Sequence, residues 1–196
     1  MMDTFQNFAP DDPFGAIEEQ ARGRILPKAA REWFIEQGVP PINLVKTWAG
    51  YSDLVLYDDV VFLDNGCFEF HRYKPGKADA ALTFVCWSSD GCASDICAWQ
   101  AKTGKIATWL SYVAMLGEDN LYGPRPDVGL MVHVDPLDWF KAKRSGVVIL
   151  NSERAAPALR DAGTLATSSL AAARTLRRAL VVEMPKILIP DDGESA

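Results

Sequence analysis

Residues 87–110 read WSSDGCASDICAWQAKTGKIATWL, and the punctuation of this stretch decides the fold. It holds three of the six tryptophans and, with Cys86 immediately ahead of it, three of the four cysteines. The run reads as the end of a strand, a tight loop over 88–94, and then a hairpin. That hairpin pairs residues 95–100 with 105–110 across Ala101-Lys102-Thr103-Gly104, a four-residue loop with glycine at its exit.

Upstream, the apolar period is close to 2. LVLY, VVFL and CFEFHRY predict three strands, divided at Asp58-Asp59 and at Asp64-Asn65-Gly66. Asn-Gly between apolar runs predicts a type I′ hairpin turn, in which both central residues take positive φ. Phe68 and Phe70 then share one face of their strand, with Glu69 and His71 on the other. Residues 81–88, ALTFVCWS, are apolar enough for a central strand, which completes an antiparallel meander of five or six strands. Two helices are expected ahead of it. Asp12-Pro13 is a cap followed by a first-turn proline, and Phe14, Ile17 and Ala21 form a thin apolar face. A second helix starts at Pro27, carries Ala30, Trp33 and Phe34 inward, and stops at Gly38 and Pro40-Pro41. Residues 1–11 read as an arm.

Downstream, residues 111–128 read as a connection, with a helical turn at YVAML followed by loop chemistry. The pattern then alternates. LMVHV predicts a strand, Asp135-Pro136 starts a helix over 136–144, and GVVILN predicts a strand covered on both faces. Ser152 caps a helix to Asp161, and Thr167 or Ser168 starts the last helix, whose apolar stripe is Leu170, Ala173, Leu176 and Leu180. KILI at 186–189 closes as a strand, and 191–196 is an acidic tail. The expected architecture is α+β in a single domain over 1–196. It has N-terminal helices, an antiparallel β-meander and a C-terminal β-α-β-α-α-β section.

A chain of 196 residues can bury one sizeable core. Its net charge of −6 disfavours nucleic acid as a partner, because that affinity comes from cations that neutralise phosphates. No apolar run approaches the roughly 20 residues that cross a bilayer, so no membrane association is expected. The first residues lack the basic start and apolar run of a signal peptide. A cytoplasmic location with reduced cysteines follows as the expectation.

Candidate chemistry is sparse. Cys67 and His71 lie four apart on a predicted strand, about 13 Å, too far to share a metal ion. Cys86, Cys92 and Cys97 lack the paired spacing of a zinc ribbon and read as small buried thiols, so neither metal nor cofactor is expected. Glu69 with His71, and His133 with Asp135, each face one way on a strand. If the two strands met, these four groups would hold a divalent metal or serve as acid and base. Asp135 also has a plain role as a helix cap. Phosphate-binding glycine loops, a GxSxG elbow and HExxH are absent. Arg174, Arg177 and Arg178 form a basic face on the last helix, either solvated or a docking site for an acidic partner or a nucleic-acid backbone. Trp99 and Trp109, with Trp87 and Trp139, read as core and rim, or as the hot spot of a protein interface.

The runs Ser94-Asp95-Ile96-Cys97-Ala98-Trp99, Ala107-Thr108-Trp109-Leu110, Pro136-Leu137-Asp138-Trp139-Phe140 and Gly146-Val147-Val148-Ile149-Leu150 resemble a group of bacterial proteins of chromosomal or prophage origin. The resemblance spans about residues 50–190 and implies no activity. Asp90-Gly91-Cys92 and Ser94-Asp95-Ile96 are similar to the tail of the zinc ribbon in phage-type primases, whose paired Cys and His spacing this chain lacks. The expectation is a non-enzymatic binding or accessory protein that meets a protein partner through its aromatic hairpin and loop surface. The alternatives are a nucleic-acid-processing accessory factor, a degenerate primase-like module using the arginine face, and a metal-dependent enzyme built on His71 and His133.

Overall fold

Pro27, with its φ fixed near the helical value, precedes α1 (Lys28–Glu36), the first helix of the computed structural model whose bounds lie among the described residues. The structure describes residues 15, 17, 26–46, 52–53, 55–90, 92–122 and 129–181. The expected arm at 1–11, the Asp12-Pro13 start, the strand at 186–189 and the acidic tail lie outside these residues. Of the first expected helix, Gly15 and Ile17 are described, both helical, and Ile17 is fully buried. Gly38, at φ +87°, ends α1 in the left-handed conformation that glycine adopts without strain. A 3-10 turn (Pro41–Leu44) and a short antiparallel ribbon of β1 (Val45–Lys46) and β2 (Ser52–Asp53) follow.

The meander is a five-stranded antiparallel sheet. Its strands are β3 (Val55–Phe62), β4 (Phe68–Phe70), β5 (Asp79–Trp87), β6 (Ala93–Gln100) and β7 (Lys105–Thr108), in the spatial order β4-β3-β5-β6-β7. The hairpin read from residues 95–110 is present, with Gln100 opposite Lys105 and Gly104 at φ +72°. Three upstream expectations change. The chain does not break at Asp58-Asp59. Asp58 is buried inside one continuous strand, accepting a 2.7 Å hydrogen bond from Thr83 Oγ1 with the Arg72 guanidinium 3.9 Å away. A buried carboxylate with such partners is tolerated where an isolated one is not. The turn at 64–66 is not type I′: only Gly66 takes positive φ, and the Leu63 N–H donates to the Cys67 carbonyl at 2.9 Å. That is a three-residue loop with glycine at the left-handed position. Finally, β4 ends at Phe70, which leaves His71 exposed in the turn beyond it.

A bridge between Cys67 and Thr108 brings the two ends of this sheet together, so it curls. Val60, Phe68, Phe70, Ile96, Ala98, Trp109 and Ile17 fill the inside. The outer face, with Leu82, Phe84, Cys97 and Trp99, packs on Phe34 of α1 and on Phe140.

The C-terminal part is a four-stranded mixed sheet. Residues 112–116, expected to form a helical turn, instead contain β8 (Met115–Leu116), followed by a 3-10 turn (Glu118–Asn120). Glu118 Oε1 accepts from the N–H groups of Ala114 and Met115, at 2.8 and 3.1 Å, and thereby holds this turn. Then come β9 (Leu130–His133), α2 (Pro136–Lys141), β10 (Val147–Ile149), α3 (Ser152–Asp161), β11 (Leu165–Thr167) and α4 (Leu170–Leu180). The spatial order is β11-β9-β10-β8, with β8 antiparallel and the other three parallel. β11 is a strand that periodicity did not announce. It takes Thr167 out of the last helix, whose N-cap is Ser169 rather than Thr167 or Ser168, and Asn151 rather than Ser152 caps α3. The helix expected over 136–144 stops at Lys141, and Lys143 and Arg144 adopt left-handed φ values of 57° and 62°.

Candidate functional site

The connection from β9 runs through α2 to the neighbouring β10. The connection from β10 runs through α3 to β11, on the other side of β9. The direction of winding reverses at β9, and in open α/β sheets a crevice forms beyond the strand ends at such a point. Here a groove of about 490 Å³ opens there, lined by Val132, His133 and Val134 at the end of β9, Ile149 at the end of β10, Thr167 at the end of β11, and one flank of α4.

Helix geometry explains why the groove stays open. At 100° per residue, Leu176 is the one inward position of α4, and it is the helix's only buried residue. Ala172, Ala179, Thr175 and Ala171 follow around the groove flank, and all four line it. Their side chains are too short to reach across. Arg178 and Arg174 come next, on the outer ridge, and both are exposed. Arg177 lies on the opposite flank beside a shallower groove of about 410 Å³ with Leu165, Ala173 and Leu180. The helix sequence, LAAARTLRRAL, contains three cations and no acid. Val134, which lines the groove, is 64% exposed.

Ser169, Thr167 and His133 are engaged in holding the walls of the groove. Ser169 caps α4, its side chain accepting from Ala172 N–H at 3.1 Å, and Thr167 Oγ1 donates to the Ser169 carbonyl at 3.0 Å. His133 Nε2 lies 2.8 Å from the Ser145 carbonyl. A carbonyl only accepts, so that contact assigns the ring proton to Nε2.

The four-residue cluster expected from sequence is not assembled. Glu69 belongs to β4 and His71 to the turn after it, both in the curled sheet, whereas His133 and Asp135 belong to the mixed sheet. Glu69 accepts from Trp109 Nε1 at 3.2 Å, and Asp135 caps α2 by accepting from Asp138 N–H at 3.0 Å. Among the described residues no three His, Cys, Asp or Glu side chains come close enough to hold a metal ion. Trp99 and Trp109 of the aromatic hairpin are not exposed for docking. Trp99 is 3% exposed and Trp109 4%, because one packs against Trp33 outside the curled sheet and the other against Phe70 and Tyr73 within it. Of the thiols, Cys86 and Cys97 are buried as expected, but Cys92 is exposed and Cys67 half-buried. The hydrogen bond with Cys97, reinforced by burial, pushes the Cys86 thiol well up, and burial raises Cys67.

Asp95 escaped the sequence reading. It is fully buried, and its two oxygens accept from the N–H groups of Ile96, Leu110 and Tyr112 at 2.8–2.9 Å and of Val113 at 3.5 Å. Burial raises its pKa, and these four donors pull it back in part. The available signal was its place in the alternation, on the same strand face as Cys97 and Trp99. Its role is to tie β6 to the turn that leads into the mixed sheet. No helix among the described residues is long and apolar enough to cross a membrane. No protein-family model matches the chain, and neither the curated proteins nor the solved structures contain a significant match to it.

Proposed function

We propose that this chain is a binding or accessory protein that captures an acidic amphipathic segment of a protein partner along α4. One observation carries the reading: a groove floored by Ala171, Ala172, Thr175 and Ala179 runs beside a ridge formed by Arg174 and Arg178. Small side chains allow a partner backbone to come close, and the apolar floor gains from being covered. From Ala171 to Ala179 the groove extends about 12 Å, enough for two turns of a helix or a short strand. The arginines then select an acidic flank, in a chain whose net charge is −6. A nucleic-acid backbone would use the same ridge, but the groove lining adds no further cation to it. Binding is favoured over chemistry because the Thr167 and Ser169 hydroxyls and the His133 imidazole are engaged with backbone groups.

The test uses a labelled peptide of about 12 residues with Leu and Glu at helical spacing, and its Leu/Lys counterpart. The acidic peptide should bind with an affinity that weakens as salt rises, and the Arg174→Glu/Arg178→Glu double variant should lose at least about tenfold. Equal binding of the basic peptide, or no effect of charge reversal, would overturn the reading. Binding of a single-stranded oligonucleotide with the same arginine dependence would replace it with the nucleic-acid one.

A further inference from the structure

A second concave site lies at the junction of the two sheets, away from α4. Its walls are Phe84 and Trp87 of β5 and Trp139 and Phe140 of α2, and Asp119, Asn120, Lys143 and Arg144 reach into it. The cavity is about 240 Å³, small beside typical ligand pockets of roughly 300–1,000 Å³.

The chain pays to build this place. Lys143 and Arg144 both hold left-handed φ without being glycine, a conformation that costs roughly 1–2 kcal/mol per residue and persists only when its surroundings enforce it. The enforcement is visible. Arg144 N–H donates to the Trp139 carbonyl at 2.9 Å, and Asn120 Nδ2 donates to the carbonyls of Gly117 and Arg144, each at 3.2 Å. Trp139 Nε1 donates to the Gly146 carbonyl at 2.9 Å. Gly117 completes the clamp at φ +83°, where a Cβ would lie 2.4 Å from the Gly146 carbonyl oxygen and 2.9 Å from Trp139 Nε1. The product is a guanidinium whose Nε is buried without a hydrogen-bond partner. Such a donor costs stability unless something accepts from it. Asp119 forms no ion pair with it; burial raises the pKa of Asp119 and lowers that of Arg144, each against its charged form, and the attraction between the two charges offsets this only in part. The cation here is therefore undercompensated by the protein.

We infer that this junction pocket binds a small aromatic carboxylate. Arg144 receives the carboxylate through its planar fork, Lys143 adds charge, and the ring of the ligand lies among Trp87, Trp139, Phe84 and Phe140. Guanidinium and carboxylate match in a bidentate pair, and offset or edge-on rings suit a cavity with four aromatic walls. The volume admits one ring with its acid group and excludes a nucleotide.

The test titrates the full chain with benzoate, using benzamide as the uncharged control, and follows backbone amide shifts by NMR. Benzoate should saturate with shifts centred on Gly117, Asn120 and Arg144, and benzamide should not. Arg144→Gln should weaken benzoate at least about tenfold, Arg144→Lys should recover part of it, and Asp119→Asn should strengthen it by removing the competing charge. Equal binding of benzamide, unchanged affinity in Arg144→Gln, or shifts located elsewhere would overturn the inference. The wild-type shift map decides the matter even if Arg144→Gln does not fold. Neither outcome bears on the α4 groove, whose arginines lie on a different element.

Discussion

In the curled sheet, β5 has four consecutive buried residues and β6 five, so both of their faces are covered, whereas α4 buries Leu176 alone. The contrast extends to polar groups. The sheet takes carboxylates inside and answers them with donors, four for Asp95 and the Thr83 hydroxyl for Asp58. α4 keeps its arginines outside and leaves an alanine flank uncovered. The tightly packed region carries the architecture, and the lightly packed one keeps apolar surface available for something else. Local stability should divide along the same line.

Truncation in each region separates the two. Phe140→Ala removes a ring in contact with Phe34, Phe84 and Trp139 and should cost about 4 kcal/mol in urea denaturation. Asp95→Ala strands the N–H groups of Leu110 and Tyr112 and should cost about 3 kcal/mol, with Asp95→Asn recovering part through its remaining oxygen. Leu176→Ala should cost only about 2 kcal/mol, because the open groove lets neighbours relax. If Leu176→Ala proves as costly as Phe140→Ala, α4 is not the looser element and the contrast fails.

The smallest effect is in pH. Partial burial raises the pKa of Asp119 in the folded chain, so the folded state holds that proton more tightly than the unfolded one. Its charge therefore opposes folding above the folded pKa, and the penalty fades as pH falls through that value toward the ordinary carboxylate range. Asp119→Asn should melt slightly higher than wild type at pH 7, with the difference closing by about pH 4. A difference that persists or grows in acid would contradict this assignment.

Much of the fold was legible in local chemistry. Gly104 after Ala101-Lys102-Thr103 marks a hairpin whatever surrounds it, and Asp135-Pro136 marks a helix start because cap and fixed φ act within one turn. What failed were places where a distant partner overrides the local signal. Asp58-Asp59 looks like a break until Thr83 supplies a donor from the next strand. Thr167 looks like a helix cap until β9 pairs with it. The site was less legible. The arginines could be named, but the groove beside them depends on strand order, and His71 and His133 could not be placed apart without it.

The sequence by itself determined the α+β composition, the meander around residues 95–110, the caps and the basic face of the last helix, because each depends on contacts within a few residues. Only the tertiary structure decided three things: that the tryptophans of the hairpin are buried, that Asp95 is held by four backbone donors, and that α4 stands over an open groove. Each of those depends on which strands become neighbours, and pairing between segments tens of residues apart is set by the packing of the whole chain.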